Sequence, residues 1–352
     1  MHQKRWIRVL ALFLPLALLA VACGDDDSPT IGDNGGDGSD LSVGVVFDIA
    51  GRGDQSFNDS AVAGLDRAIE EFGLEDTQEL TPDEGGENRE ELLRLLAEEG
   101  TELVFAVGFL FADAVTAIAP EFPDTTIGLI DETVDEANVA SLRFAEEEGS
   151  YLVGAAAALT SESGKIGFIG GVEIDLIKKF EAGFVAGATA INPDIEIDVK
   201  YITQPPDFSG FNDPAKGKEI ATGQFAGGAD VVYAAAGGSG GGVFEAARET
   251  STATTKHWAI GVDSDQYNLV DASLQPFILT SMLKSVDVAV YQTIKAMIEG
   301  ETVGGKETIF DLSSGGVGYS TSGDHLSQDV IDQLEDLKQQ IIDGDIEVPS
   351  AL

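Results

Sequence analysis

The chain of 352 residues has one cysteine, three histidines and only 20 Lys+Arg against 62 Asp+Glu. Each shortage removes a class of protein. A single cysteine cannot build a disulfide framework within one chain, and with three scattered histidines it leaves no zinc cluster to assemble. Nucleic acid is excluded as a partner, because gripping phosphates needs clustered Lys/Arg that a chain of formal charge −42 lacks. The apolar run from Val9 to Ala22 is shorter than the ~20 residues that cross a bilayer. Apolar residues themselves are plentiful. At 43% over this length they suffice for two ordinary cores and rule out disorder for most of the chain.

The N-terminus reads as a secretory signal over residues 1–22: Lys4, Arg5 and Arg8, the apolar run, then small residues ahead of Cys23. Leu19-Ala20-Val21-Ala22-Cys23 resembles the lipobox of bacterial lipoproteins, whose cysteine becomes lipid-modified, with Ala20 where leucine is usual. Residues 23–40 form a Gly/Asp/Ser tether with nothing to bury. The expectation is a mature chain anchored at the membrane through lipid on Cys23, on its extracytoplasmic face. Cleavage removes three basic residues and no acidic one, taking the charge from −42 to about −45, which keeps molecules soluble and apart.

From Leu41 onward strand and helix patterns alternate. The first series is strand 41–48, helix 58–72, helix 90–98, strand 102–107, helix 112–119, strand 126–130 and strand 139–144. Helix 58–72 is capped by Ser56 or Asn58 and ended by Gly73. The second series is helix 148–159, strand 165–170, helix 177–190, strand 196–202, helix 214–225, strand 230–235, helix 243–249 and strand 257–262. Strand 277–284, helix 286–299 and a tail helix 328–342 follow. Strands separated by helices of 10–15 residues imply right-handed βαβ units, hence an α/β fold of two doubly wound parallel-sheet lobes. In such sheets ligands sit at the carboxyl ends of strands, so a cleft between the lobes is the place to look.

Four strand ends stand out. In Phe47-Asp48 through Phe57-Asn58, Asp48 and Asn58 read equally as turn and cap residues and Phe57 as a staple. An aromatic beside an amide also suits a flat heterocycle, one stacking and the other presenting a donor with an acceptor. Asp131 follows the apolar strand Gly128-Leu129-Ile130, and Asp263 follows Gly261-Val262 at the corresponding place in the second series. A carboxylate there either opens a turn or accepts from two vicinal hydroxyls of a sugar. Lys284, ending an apolar strand, reads by itself as a solvated lysine.

The run Ala234 to Val243 is rich in glycine, yet Val243 stands where a Walker loop needs Lys. No dinucleotide spacing fits either, so these glycines read as a close backbone approach to an uncharged ligand. There is no Ser-His-Asp set or metal-ligand cluster, and no histidine is placed as a base: His2 lies in the signal, His257 in a strand and His325 in the tail. No enzyme, cofactor or metal is expected.

Seven segments in order, FDIAGRGDQSFNDSAVAG, EEEGSYLVGAAAA, KIGFIGG with KKFEAGFVAG, FNDPAKGKEIA, AAAGGSGGGVFEAA, GVDSDQ and TSMLKS, resemble the basic membrane protein family. These are purine-nucleoside-binding lipoproteins of bacterial ABC importers, and the resemblance spans residues 41–345. It implies a periplasmic-binding-protein fold of the sugar-receptor type with three hinge crossings. Lobe one would be 41–144 plus 285–307, and lobe two 145–284 with the tail 308–352. It also implies that Phe57 stacks on the purine, that Asn58 and Asp131 bond its edge with Asp48 close by, and that Asp263 holds the ribose hydroxyls. Lys284 and the backbone near Gly238 would help. Phe180, or alternatively Phe211, would complete the aromatic sandwich. The implied partners are a purine nucleoside and an ABC permease, with the protein acting as a monomer. A sugar or autoinducer on the same fold, or sensing for a signalling partner, stays open beside this reading.

Overall fold

The computed structural model describes residues 40–83 and 85–352. The signal segment, Cys23 and the tether up to residue 39 lie outside the described residues. In chain order the elements begin β1 (Val43–Val46), α1 (Phe57–Phe72), β2 (Thr77–Leu80), α2 (Arg89–Glu98), β3 (Leu103–Ala106), α3 (Ala112–Ile118), β4 (Thr126–Ile130) and β5 (Val139–Phe144). Next come α4 (Glu146–Thr160), β6 (Lys165–Val172), α5 (Asp175–Ile191), β7 (Glu196–Thr203), α6 (Pro214–Ala226), β8 (Val231–Ala235), α7 (Gly240–Thr250), β9 (Trp258–Asp263) and β10 (Ile278–Lys284). The chain finishes with α8 (Val286–Ile298), β11 (Lys306–Phe310), β12 (Val317–Tyr319) and α9 (Gln328–Ile342).

Two parallel-sheet α/β lobes result. The first sheet runs β11-β5-β4-β3-β1-β2 with every pair parallel. The second runs β12-β10-β9-β8-β6-β7, parallel except where β12 joins β10 antiparallel. The inner strands are buried on both faces, as βαβ layering requires. Strands β2, β11 and β12, all at edges, escape the sequence pattern. Thr77–Leu80 and Lys306–Phe310 keep much of their surface in water and carry no continuous apolar run. The expected break between lobes after residue 307 falls inside β11, so the first sheet takes the chain to Phe310.

The chain passes between the lobes three times: from β5 into α4, from β10 into α8, and from β11 into β12. At two of these crossings Phe144 and Phe310 stack with centroids 5.2 Å apart. Helix α8 packs on α1, whereas α4 packs on α5, α9, β10 and β12. The α4–α5 contact explains the glycines of the KKFEAGFVAG segment. A Cβ at Gly183 would lie 2.1 Å from the Glu147 carbonyl oxygen and one at Gly187 2.0 Å from that of Tyr151, so only glycine lets the backbones meet. That contact fixes α5, and with it the aim of Phe180 one turn earlier.

Candidate functional site

The loop after β1 is built around a residue the sequence pattern passed over. Asp54 accepts from the backbone N–H groups of Ser56, Asn58 and Asp59 and from Asn58 Nδ2. It therefore caps α1, and neither Ser56 nor Asn58 does so through its side chain. Gly73 ends the helix in the left-handed conformation, φ 67°, as expected. Asn58, 2% exposed, accepts at Oδ1 from the Asp48 N–H and donates from Nδ2 to the Ile49 carbonyl and Asp54. The free donor expected for a heterocycle edge is thus spent inside the loop, and one Oδ1 lone pair remains.

A cleft lies at the strand ends between the lobes, where ligands of such α/β sheets bind. Asp48, Phe57, Asn58, Asp131, Phe180, Asp263 and Lys284 all line it, and so does Phe211. Gly238 does not. The lining glycine is its neighbour Gly237, whose φ of +54° turns the backbone there, while a Cβ on Gly238 would look toward Asn212, Phe211 and Asp54. Part of the glycine run serves packing, since a Cβ at Gly242 would strike the Pro214 carbonyl oxygen at 1.8 Å. Asp54, Phe109, Leu176, Ile177 and Val262 also line the cleft and went unnoticed in the sequence, because apolar and capping residues look alike at any strand end.

Lys284 departs from the solvated lysine that its strand by itself suggests. It is 2% exposed, with Nζ 2.7 Å from both oxygens of Asp131 and 3.2 Å from Glu146. Of the two Asp131 contacts, the one to Oδ2 is a hydrogen bond. The one to Oδ1 is equally short, so the ammonium sits astride the carboxylate and neither oxygen is left without the cation. The rings of Phe57, Phe144 and Phe180 surround the ammonium at 5.1, 5.0 and 5.7 Å from their centroids. Burial works against the charge, yet Asp131, Glu146 and Asp263 together hold the ammonium above the usual lysine range. Glu146, buried at the first crossing, also meets Lys179 at 3.3 Å. The triplet Glu146-Glu147-Glu148 reads in sequence as a solvated helix start, so nothing there marks the buried member.

Asp131 follows β4 and Asp263 ends β9, each in the left-handed region at φ 72° and 63°. Aspartate tolerates this backbone better than most residues, and such strain gathers at functional sites. Burial pushes Asp263 up to about 6 against the opposing pull of Lys284 and the Ser56 hydroxyl. It likewise pushes Asp48 up to about 6, against the Ile49 N–H and Arg89 3.4 Å away. Burial raises Asp131 too, with Lys284 holding it back.

Beside the cleft the lobes touch again. Ser56 Oγ donates to Asp263 Oδ2 at 2.6 Å, Ser264 Oγ to the Ser56 carbonyl, Gln266 Nε2 to the Gln55 carbonyl, and Gln55 Nε2 to the Leu269 carbonyl. Elsewhere the rings of Phe109 and Phe208 meet with centroids 6.0 Å apart. His257 stacks on Phe225 and bonds Thr250, and His325 bonds the Ile278 carbonyl. Neither lines the cleft.

Two α/β lobes joined by three crossings, with carboxylates and aromatics facing one another across a cleft, define a solute-binding protein of the periplasmic-binding-protein type. The chain belongs to the family described as ABC transporter substrate-binding protein PnrA-like, matching it over residues 41–351. It is 33% identical over 364 aligned positions to the CD4+ T-cell-stimulating antigen of Listeria monocytogenes serovar 1/2a, which covers 99% of each chain. It is 35% identical over 359 to the ABC transporter nucleoside-binding protein BmpA of Lactococcus lactis subsp. cremoris, again 99% of each. Among solved structures it is similar to an ABC transporter system solute-binding protein from Aeropyrum pernix K1. The TM-score is 0.76 and the identity 32%, over 88% of this chain and 94% of that one. Family and structural relative are solute-binding proteins, not enzymes.

Proposed function

We propose that the protein captures a purine nucleoside between its lobes outside the cytoplasm, anchored through lipid on Cys23, and hands it to an ABC permease. The observation that carries this reading is a single cleft lined by both Phe57 and Phe180. These rings come from opposite lobes and flank the same ammonium, with the Asp131 carboxylate bonded to it. A purine stacks in this cleft with its edge toward Asp131. Asp263 takes the ribose hydroxyls through the oxygen that Ser56 leaves free, and Lys284, Asp48 and the backbone at Gly237 complete the enclosure. Phe211, half-buried on the same wall, is the alternative partner for the stack. The name of the Lactococcus relative, nucleoside-binding, agrees with this.

Stacking of a base on an aromatic contributes ~1–3 kcal/mol and each bond to a charged group ~1.5–3 kcal/mol. A few of these reach the roughly −8 kcal/mol of micromolar affinity. The bodies that close are 41–144 with 285–310 and 145–284 with 311–352, turning about the three crossings. Calorimetric titration with adenosine, guanosine, inosine, ribose and arabinose tests the reading. Heat from the nucleosides and far less from the free sugars is the expected outcome. Binding of a pentose with no nucleoside bound would overturn it in favour of a sugar receptor.

A further inference from the structure

We propose that Glu148, outside the cleft, is a positioning residue that holds the third crossing against α4 and so sets how readily the lobes close on a ligand. The choice of ligand rests on the nucleoside reading above. The three crossings do not run independently. The Ala145 N–H at the first donates to the Phe310 carbonyl at the third (3.0 Å), and the Ser285 N–H at the second donates to the Gly316 carbonyl just past the third (2.8 Å). Helix α4 starts at the first crossing and fastens the other two. Its Glu146 meets Lys284, the last residue before the second, at 3.2 Å. Its Glu148 accepts at Oε2 from the Leu312 N–H at 2.9 Å, where the third crossing enters lobe two. The turn carrying both is tightly seated: a Cβ at Gly149 would lie 2.6 Å from the Met282 methyl of β10 and 3.3 Å from the Val317 Cβ of β12.

Glu146 reaches the cleft through Lys284, whereas Glu148 is not among the lining residues and its partner is a backbone N–H. The influence of Glu148 on binding therefore travels through the third crossing. Opening and closing are absorbed by backbone angles at the crossings. Because these are bonded to one another they turn together, and a charge-assisted bond at one biases all three. The Glu148 bond is made in the arrangement in which Ser56 of one lobe holds Asp263 of the other. Its loss lowers that closed form relative to the open one, and a ligand held by the closed form leaves sooner. The population of the binding-competent form enters every dissociation constant alike, so all ligands weaken by one factor. A residue touching the ligand would change their order instead.

The test compares the full-length protein with its Glu148→Ala and Glu148→Gln variants by calorimetric titration and stopped-flow release of adenosine, guanosine and inosine. Alanine removes the acceptor, while glutamine keeps an oxygen that can take the Leu312 N–H. Glu148→Ala should bind each nucleoside about fivefold or more weakly, by a common factor and through faster release, and Glu148→Gln should return to within about twofold of wild type. A lowered unfolding midpoint with unchanged affinity of the folded protein would mark a merely structural role and overturn the inference. So would a loss that differs between the nucleosides, or a glutamine variant as weak as the alanine one. Should Glu148→Ala fail to fold, Glu148→Asp, whose shorter stem withdraws the carboxylate from Leu312, takes its place. If the wild type binds no nucleoside, the nucleoside reading falls first. Ribose and arabinose then serve as probes, and equal affinity of wild type and Glu148→Ala for them overturns the inference as well; binding of neither overturns both.

Discussion

Replacing Lys284 with Met probes the charge balance of the cleft directly. The methionine preserves most of the side-chain stem, so cavity and overpacking costs stay small. What disappears is a cation 2.7 Å from both oxygens of Asp131 and 3.2 Å from Glu146, in a position 2% exposed. Removing one partner of a buried pair costs ~3–5 kcal/mol, because the charge left behind is uncompensated. Three ring contacts of ~0.5–2 kcal/mol each vanish with it. Against a typical stability of ~5–15 kcal/mol this is a large fraction.

The sign of the pH dependence follows from Asp131. Burial already raises it and Lys284 holds it back, so in the variant its folded pKa climbs further above the ~3.9 of the unfolded chain. The folded form then takes up a proton that the unfolded form refuses, and the deficit shrinks as pH falls through the raised value toward ~4. Urea unfolding of ligand-free wild type and variant at neutral pH and in mild acid reads this out. A variant less stable by ~3–5 kcal/mol at neutral pH, with a narrower gap in acid, is expected. Coincident midpoints at neutral pH, or a gap indifferent to pH, would refute the assignment of Lys284 as the balancing cation.

Two further outcomes are expected. In the proposed role Asp263, pushed up to about 6 by burial, accepts from ribose hydroxyls fully only when ionised. Nucleoside affinity should therefore be complete above about pH 7 and decline as pH drops through about 6. Calorimetry across that range checks this, and Asp263→Asn should flatten its share of the profile; an affinity independent of pH would contradict the role. Ser56→Ala removes the 2.6 Å bond that ties Asp263 to the other lobe. It should weaken nucleoside binding about tenfold or more, through faster dissociation, because that bond to a charged group contributes ~1.5–3 kcal/mol to the closed form. Stopped-flow release rates equal to wild type would show that the contact between the lobes does not hold the ligand.

Much of the fold was legible along the chain because long βαβ patterns impose their periodicity locally. Helix 328–342 and strands 126–130 and 139–144 agree with the structure to the residue. Edge strands were not legible, since half-solvated residues such as Thr77–Leu80 carry no apolar run. In the site, Asp131 and Asp263 stood out as carboxylates closing apolar strands. Read by itself Lys284 looked solvated, as a lone lysine ordinarily is, and only the family resemblance placed it at the ligand; its partners lie at Asp131 and Glu146, 153 and 138 positions earlier.

Local pattern and composition by themselves determined the alternation of strands and helices, the acidic surface and the strand ends that matter, for these depend on neighbours a few residues apart. Only the tertiary structure decided that the Asn58 amide is consumed by its own loop, that Gly237 and not Gly238 faces the cleft, and that Glu146 balances Lys284 at the crossing between lobes. The physical reason is that burial and charge pairing are properties of groups brought together from distant parts of the chain. A side chain's hydrogen-bond capacity is known to be free or spent only once every neighbour is in place.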